Sequence, residues 1–109
     1  MSEKWDTDIR HQFPDWLTSD AILRWLDFDK PNVGDTFTGT VIARAPFGVW
    51  LDIGIGFPAL LLAPNMIKSH RSIESDDYPK IGDAIFTEII GLSVDAEITL
   101  LQIENKSQT

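Results

Sequence analysis

The stretch APFGVWLDIGIGFPALLLAPN, from Ala45 to Asn65, decides the fold of this 109-residue chain. It has two interpretations: a strand running into a glycine-rich phosphate loop, or two neighbouring strands of a small β-barrel. GIGFPA, from Gly54 to Ala59, matches the dinucleotide pattern G-x-G-x-x-A, which requires a helix to begin inside it. Pro58 and the apolar run after it favour a second strand, and the chain is too short for the paired βαβ units of such a site. The stretch therefore predicts two strands joined by a glycine turn.

Alternating apolar residues extend this pattern on both sides. A Pro-x-apolar-Gly-Asp turn occurs twice, as PNVGD from Pro31 to Asp35 and as PKIGD from Pro79 to Asp83, and each copy precedes an alternating run. Proline fixes φ and glycine permits positive φ in such a turn. The pattern predicts a β-barrel of five antiparallel strands, near residues 35–44, 48–53, 58–62, 83–92 and 97–102.

The alternation also assigns side chains to the two faces of each strand. In the first strand, one face is predicted to carry Phe37, Gly39, Val41 and Ala43. Trp50 and Asp52 should face outward, and the ALLLA run from Ala59 to Ala63 should be buried or nearly so. The other predicted inward positions are Val49, Leu51, Ile53, Ile85, Thr87, Ile89, Ile98 and Leu100.

A helical pattern precedes the strands. Ile22, Trp25 and Leu26 have helical spacing, Ser19 is a candidate N-cap and Pro31 a stop signal, which together predict a short helix near residues 15–28. The predicted organisation is a helical extension over residues 1–32, a barrel over 33–103 and a disordered tail over 104–109.

The helical extension is rich in aromatic residues. Exposed rings at this density are unfavourable, so they must cover something. We expect the helix to pack on the barrel and close one of its open ends; the alternative is a docking surface for another protein or a second copy. The aromatic residues of the extension are Trp5, Phe13, Trp16, Trp25 and Phe28.

Composition restricts the function. The chain carries 9 basic and 17 acidic residues, a net charge of −8, which argues against tight, sequence-indifferent binding to nucleic acid and favours solubility and a basic partner. The absence of cysteine excludes disulfides and thiol chemistry. The start MSEKWDTDIR has no apolar core of signal-peptide length, and no run approaches the length of a membrane helix, so a cytoplasmic protein without membrane contact is expected. We expect no metal, no cofactor and no catalysis, because His11 and His70 have no partners at metal-binding or catalytic spacing.

Five ordered motifs between Val33 and Gln102 resemble the RNA-binding domain family named after ribosomal protein S-one. Members of that family read VGD-x-V-x-G-x-V, F-G-x-F/W-V-D-x-G, G-L-L-H, VGD-x-V-x-V and R-I-x-L-S in order. The matching pieces here are VGDTFTGTV (33–41), FGVWLDIG (47–54), ALLLA (59–63), IGDAIF (81–86) and EITLL (97–101). The resemblance implies a five-stranded OB-fold barrel and RNA binding.

The family's contact positions match only in part. Phe47 and Trp50 fall on the two aromatic positions that stack bases in the family. The histidine, the acidic residue and the arginine of the family fall on Leu62, Ser93 and Glu97, the last a charge reversal. Phe47 and Trp50 are three residues apart, which in a flat strand would put them on opposite faces, and a bulge at Gly48 would reconcile them.

Two hypotheses about function follow. The first is a non-enzymatic module that binds RNA or another single-stranded nucleic acid weakly, through Phe47 and Trp50 and a basic loop containing Lys68, His70 and Arg71. The second is a protein-interaction adaptor, or an inhibitor-like immunity or regulatory module, that has lost RNA binding and presents an acidic surface to its partner. The residues expected to contact a protein partner are Trp16, Trp25, Trp50 and Leu62.

Overall fold

A computed structural model of the protein describes residues 4–67 and 78–104. Two helices precede five strands, and a single 3₁₀ turn at Ala63–Asn65 follows the third strand. Neither described helix has the length and apolar character needed to cross a bilayer. The elements are α1 (Lys4–Gln12), α2 (Ser19–Asp27), β1 (Thr36–Ala45), β2 (Gly48–Asp52), β3 (Pro58–Leu62), β4 (Ala84–Leu92) and β5 (Ile98–Gln102).

The strands close into a barrel in the order β1-β2-β3-β5-β4, which confirms the predicted mainly β, five-stranded OB-fold barrel with a helical extension. The prediction that all strands are antiparallel is wrong for one pair, because β3 and β5 run parallel, with Leu60 opposite Thr99. The reason is topological: a closed ring with an odd number of strands cannot alternate direction at every step. At least one neighbouring pair must therefore be parallel.

The two Gly-Asp turns have the same internal hydrogen bonds. The Asp35 carboxylate accepts from the Asn32 backbone N–H at 2.9 Å, and the Asp83 carboxylate accepts from the Lys80 backbone N–H at 2.8 Å. The backbone N–H of each aspartate in turn donates to the carbonyl of the same partner, at 3.0 Å and 2.9 Å. Each aspartate therefore closes its own turn, which explains why the phrase occurs twice.

Each turn is also bonded to the strand that follows the other turn. The Gly34 N–H donates to the Ile89 carbonyl on β4 at 2.8 Å, and the Gly82 N–H donates to the Val41 carbonyl on β1 at 2.9 Å. Both glycines have positive φ, 100° and 96°, which accounts for glycine at these positions. Each turn therefore helps to hold β1 and β4 together.

A bulge in β1 changes which face its last residues occupy. The register with β2 passes from Val41 opposite Leu51 to Ala43 opposite Trp50, so Ile42 is the extra residue. Directly opposed residues share a face, so Ala43 lies on the outer face with Trp50. The prediction that Ala43 shares a face with Val41 is therefore wrong. Helix α1 packs against β1, and Ala43 is buried although it faces outward.

The barrel interior is filled by the residues predicted to point inward. Val49, Leu51, Ile85, Thr87, Ile89, Ile98 and Leu100 are all buried, and the Thr87 hydroxyl donates to the Phe37 carbonyl at 2.9 Å. The ALLLA run, predicted to be buried or nearly so, is fully buried only at alternate residues. Ala59 and Leu61 are buried, whereas Leu60 and Leu62 are only partly covered. One face of β3 therefore lies on the outside of the barrel.

Helix α2 lies inside the predicted range 15–28 and packs on the barrel core. Its N-cap is Thr18 rather than Ser19: the Thr18 hydroxyl accepts from the Ala21 N–H at 3.2 Å. Trp25 is fully buried within the core cluster, and its indole N–H donates to the Ser93 carbonyl at 2.9 Å. Helix α1 was not predicted, because only Ile9 of its nine residues is buried and no apolar stripe marks it.

Candidate nucleic-acid interface

The outer face of β2, β3 and β5 forms one wall of a cleft. Trp50 on β2 lies opposite Leu60 on β3, and Leu60 lies opposite Thr99 on β5, so these three side chains share the outer face. The loop between β4 and β5 borders the same face through Asp95, Ala96 and Glu97. In OB-folds this face and its bordering loops are where oligonucleotides bind.

The N-terminal segment forms the opposite wall of this cleft, whose volume is about 610 Å³. That volume falls within the range usual for small-molecule sites, about 300–1,000 Å³. The residues that the segment contributes to the wall are Trp5, Asp15, Trp16, Leu17, Ala21, Ile22 and Arg24.

Phe47 and Trp50 reach the same side of the barrel without a bulge in β2. Phe47 lies in the turn before β2, outside the strand ladder, so the alternation rule does not apply to it. The predicted bulge at Gly48 is absent; the register shift lies in β1, on the other side of the β1–β2 ladder. Gly48 has another role, because a Cβ there would clash with the Leu61 carbonyl oxygen and lie 2.9 Å from the Leu62 Cα. The close approach of β3 holds the turn that carries Phe47.

Four rings form a continuous series along the cleft, which we call the aromatic row. Phe47 contacts Trp5 with ring centroids 5.4 Å apart, Trp5 contacts Trp16 at 6.3 Å, and Trp16 contacts Trp50 at 5.2 Å. Every contact is close to perpendicular, the edge-to-face geometry that aromatic pairs favour. The two family stacking positions are therefore each in contact with an indole from the N-terminal segment.

The indole N–H of Trp50 is buried and has no hydrogen-bond partner among the described residues. Buried indole N–H groups usually find an acceptor, and one left without a partner costs about 1–3 kcal/mol. Trp50 thus combines a ring at the cleft wall with an unused donor.

The charged side chains that line the cleft are Asp15, Arg24, Asp95 and Glu97. Arg24, the single cation of this described set, is already engaged: it pairs with Asp15 at 3.1 Å and donates to the Gly56 carbonyl at 3.2 Å. The cleft therefore presents rings and carboxylates rather than an unpaired cation within the residues described.

The loop between β4 and β5 explains the serine at a position where the family has an acidic residue. The Ser93 hydroxyl accepts from the backbone N–H groups of Asp95 and Glu97, at 3.1 Å and 3.2 Å. The Ser93 N–H donates to the Glu97 carbonyl at 3.0 Å. Ser93 thus closes the loop that places Glu97 at the cleft, and its own carbonyl holds Trp25.

The structure places the predicted site residues unequally. Phe47 and Trp50 lie together at the cleft, whereas Lys68, His70 and Arg71 lie outside the described residues. Leu62 is partly covered. Trp25 is fully buried, so its predicted role as a contact for a protein partner is wrong.

Trp5 lies in the site and was not assigned to it from sequence, and Trp16 was assigned only as a contact for a protein partner. The high aromatic content of the extension indicated that its rings pack on some surface of the protein. It did not indicate which surface. The pairing with Phe47 and Trp50 depends on tertiary structure.

Comparisons with known proteins agree with this fold. Polyribonucleotide nucleotidyltransferase from Bartonella tribocorum is 28% identical over 97 residues, which are 87% of this chain and 13% of that enzyme. A solved chain from the a/eIF2alpha-aDim2p-rRNA complex of Pyrococcus horikoshii has a TM-score of 0.62 and 20% identity, over 73% of this chain and 49% of the other. Mycoplasma genitalium RNase R, solved with ribose methylated single-stranded RNA, has a TM-score of 0.55 and 21% identity, over 65% of this chain and 13% of the other.

These similarities cover different parts of the chain and support different conclusions. The solved structures are similar in fold, and this chain spans only a small part of the nucleotidyltransferase. The S1 RNA binding domain, the family indicated by the five ordered motifs, matches residues 30–101, about two thirds of the sequence. The chain therefore belongs to the S1 RNA binding domain family.

Proposed function

We propose that this protein binds single-stranded RNA on the outer face of β2, β3 and β5, as a binding module without catalytic activity. The observation that carries the proposal is the position of Phe47 and Trp50. Both border one apolar cleft, on the face that OB-folds use for oligonucleotides. Stacking of a base on such a ring contributes about 1–3 kcal/mol and tolerates any base. The expected ligand is therefore a short single strand, bound with little sequence preference.

Relatives support the choice of RNA as the ligand. The family that matches is named for RNA binding, and the RNase R structure of similar fold contains single-stranded RNA. Lys68, His70 and Arg71 are our proposed phosphate contacts, because they form a basic cluster in the connection between β3 and β4. The acidic cleft weakens the counterion-release contribution to affinity, so binding should be weak and limited to a few nucleotides.

The proposal is tested by titrating a fluorescently labelled oligouridine with the protein and measuring anisotropy at low and moderate salt. Phe47→Ala and Trp50→Ala should each weaken binding by about 1–3 kcal/mol. Leu23→Ala is the matched control, because Leu23 is 64% exposed on α2 and does not line the cleft. Equal affinity of all four proteins, or no binding of the wild type at low salt, would contradict the proposal.

A second candidate is a protein-interaction module, which the acidic cleft favours. Asp95 and Glu97 lie beside the apolar wall formed by Trp50 and Leu60, an arrangement that suits a basic segment with an apolar side chain. The same titration separates the two candidates. A protein module would show no anisotropy change with RNA in the wild type or in any variant.

A further inference from the structure

We propose that the segment from α1 to Trp16 is an intramolecular competitor of RNA: Trp5 in α1 and Trp16 in the connection after it contact the rings of Phe47 and Trp50, and binding of a single strand requires this segment to leave the barrel. This inference rests on the proposed function and concerns the regulation of the same site. Its starting point is the aromatic row, in which each ring of the barrel face contacts an indole at 5.2–5.4 Å. An indole at that position competes with a base for the same ring.

Helix α1 packs on β1, and Phe13 directly after the helix is also buried, but few polar bonds join the helix to the barrel. Of its nine residues only Ile9 is buried, and its one described side-chain hydrogen bond to the barrel joins Gln12 to Asp52 at 3.5 Å, the limit of such a bond. Its described ion pairs, Lys4–Asp8 and Arg10–Asp6, lie within the helix itself and survive its release. A helix with one buried side chain and one weak polar bond to its neighbour should open at lower free-energy cost than the strands of the barrel.

Helix α2, in contrast to α1, is bound to the barrel by specific side-chain contacts. Trp25 is fully buried and hydrogen-bonded to the Ser93 carbonyl, and its ring packs 4.9 Å from that of Phe57. Arg24 lies 4.0 Å above the Phe57 ring and also donates to the Gly56 carbonyl at 3.2 Å. The extension is therefore a fixed helix joined to a detachable one.

The junction between the two helices contains a strained residue. Leu17 has φ of 65°, a left-handed conformation that is unfavourable for a bulky side chain, and its side chain is 62% exposed. Burial therefore does not compensate for the strain at Leu17. Strain of this kind persists only where surrounding contacts impose it, and it concentrates at switch regions. Release of α1 would allow Leu17 to return to an ordinary conformation.

Competition of this kind has a defined signature. When the binding-competent state is only partly populated, the measured affinity falls by that fraction. Weakening the contact between α1 and the barrel should therefore tighten RNA binding, although no RNA contact is added. If Trp5 were instead part of the stacking surface, its removal would weaken binding.

The first experiment measures the affinity of labelled oligouridine for Trp5→Ala and for the control Leu23→Ala. Loss of the ring pair between Trp5 and Phe47 should tighten binding by roughly two- to tenfold in Trp5→Ala, and the control should be unchanged. Adding Phe47→Ala to Trp5→Ala should remove the gain. Unchanged or weaker binding by Trp5→Ala would overturn the competitor role. A thermal melt of each variant establishes that it is folded.

The second experiment closes the site instead of opening it. The chain has no cysteine, so Gln12→Cys together with Asp52→Cys provides a unique pair for a disulfide-containing bismaleimide linker. The linked protein should lose RNA binding at least tenfold, and reduction of the linker should restore it. Full binding by the linked protein would show that α1 does not need to leave.

Hydrogen exchange without RNA separates failure of this inference from failure of the proposed function. A detachable α1 should exchange its amides much faster than α2, whether or not RNA is the ligand. Fast exchange of α1 with no RNA binding by any variant overturns the proposed ligand but leaves α1 detachable. Equal protection of α1 and α2 overturns the detachable helix itself.

Discussion

At the scale of single residues, Gly48 fixes the position of the stacking ring beside it. A side chain at position 48 has no room, because β3 approaches there through the Leu61 carbonyl and the Leu62 Cα. Gly48→Ala should therefore destabilise the protein by about 1–3 kcal/mol or more, the range for overpacking a closed site. Urea denaturation followed by circular dichroism measures the change.

The matched control is Gly91→Ala. A Cβ at Gly91 would lie 3.6 Å from the Thr99 Cβ, which is an ordinary contact distance. That variant should change the free energy of unfolding by less than about 1 kcal/mol, because alanine restricts the unfolded chain more than glycine does. Equal stability of the two variants would mean that β3 is free to move away from Gly48.

Glu97 is one of the carboxylates that make the cleft acidic. Glu97→Arg replaces a carboxylate beside the binding face with a cation, so RNA affinity should rise and its salt dependence should steepen by about 0.7 in log–log slope for each phosphate contacted. Glu88→Arg is the control, since it makes the same change of net charge on β4, away from the residues that line the cleft. Identical salt slopes for the two variants would show that position 97 does not face the phosphates.

At the scale of elements, the N-cap of α2 is Thr18 and not Ser19, the residue that the sequence pattern indicated. Thr18→Ala should cost about 1 kcal/mol, because the Thr18 hydroxyl is the group that accepts from the Ala21 N–H. Ser19→Ala should cost at most a few tenths, since Ser19 is the first residue of the helix and not its cap. Thermal unfolding of both variants tests the assignment, and a larger loss for Ser19→Ala would contradict it.

The elements also show how far the sequence determines the fold and the site. The strands were predictable because their periods and turns are local: residues such as Leu51 and Ile89 fall on the inward positions of a two-residue period, and both are buried as expected. The bulge at Ile42 was not predictable, because no glycine or turn signal marks it, and it moved Ala43 to the outer face. Helix α1 lacked an apolar stripe. The partners of Trp5 and Trp16 depend on contacts that no spacing in the sequence reveals.

At the scale of the whole molecule, the repeated turns give the β1–β2 and β4–β5 pairs corresponding features on either side of the β1–β4 pair. Bulges follow both turns, since the β4–β5 register shifts between Ile89 and Gly91 as the β1–β2 register does between Val41 and Ala43. Asp35→Ala and Asp83→Ala should therefore destabilise the protein by similar amounts, about 0.5–1.5 kcal/mol each for the lost hydrogen bond.

Asparagine keeps the acceptor oxygen, so Asp35→Asn and Asp83→Asn should recover part of the loss. Chemical denaturation of the four variants makes the comparison. A much larger effect at one turn than at the other would show that the two units support the barrel unequally.

The hydrogen bond from Trp25 to Ser93 joins residues 68 positions apart, and this separation governs the order of events during folding. Helices form in about 0.1–1 μs, whereas folds dominated by distant pairings take milliseconds to seconds. Helix α2 is early in the chain, yet its indole gains its final partner only after β4 and β5 have formed the loop between them. In a stopped-flow refolding experiment, the main change in tryptophan emission should therefore follow the slow closure of the barrel.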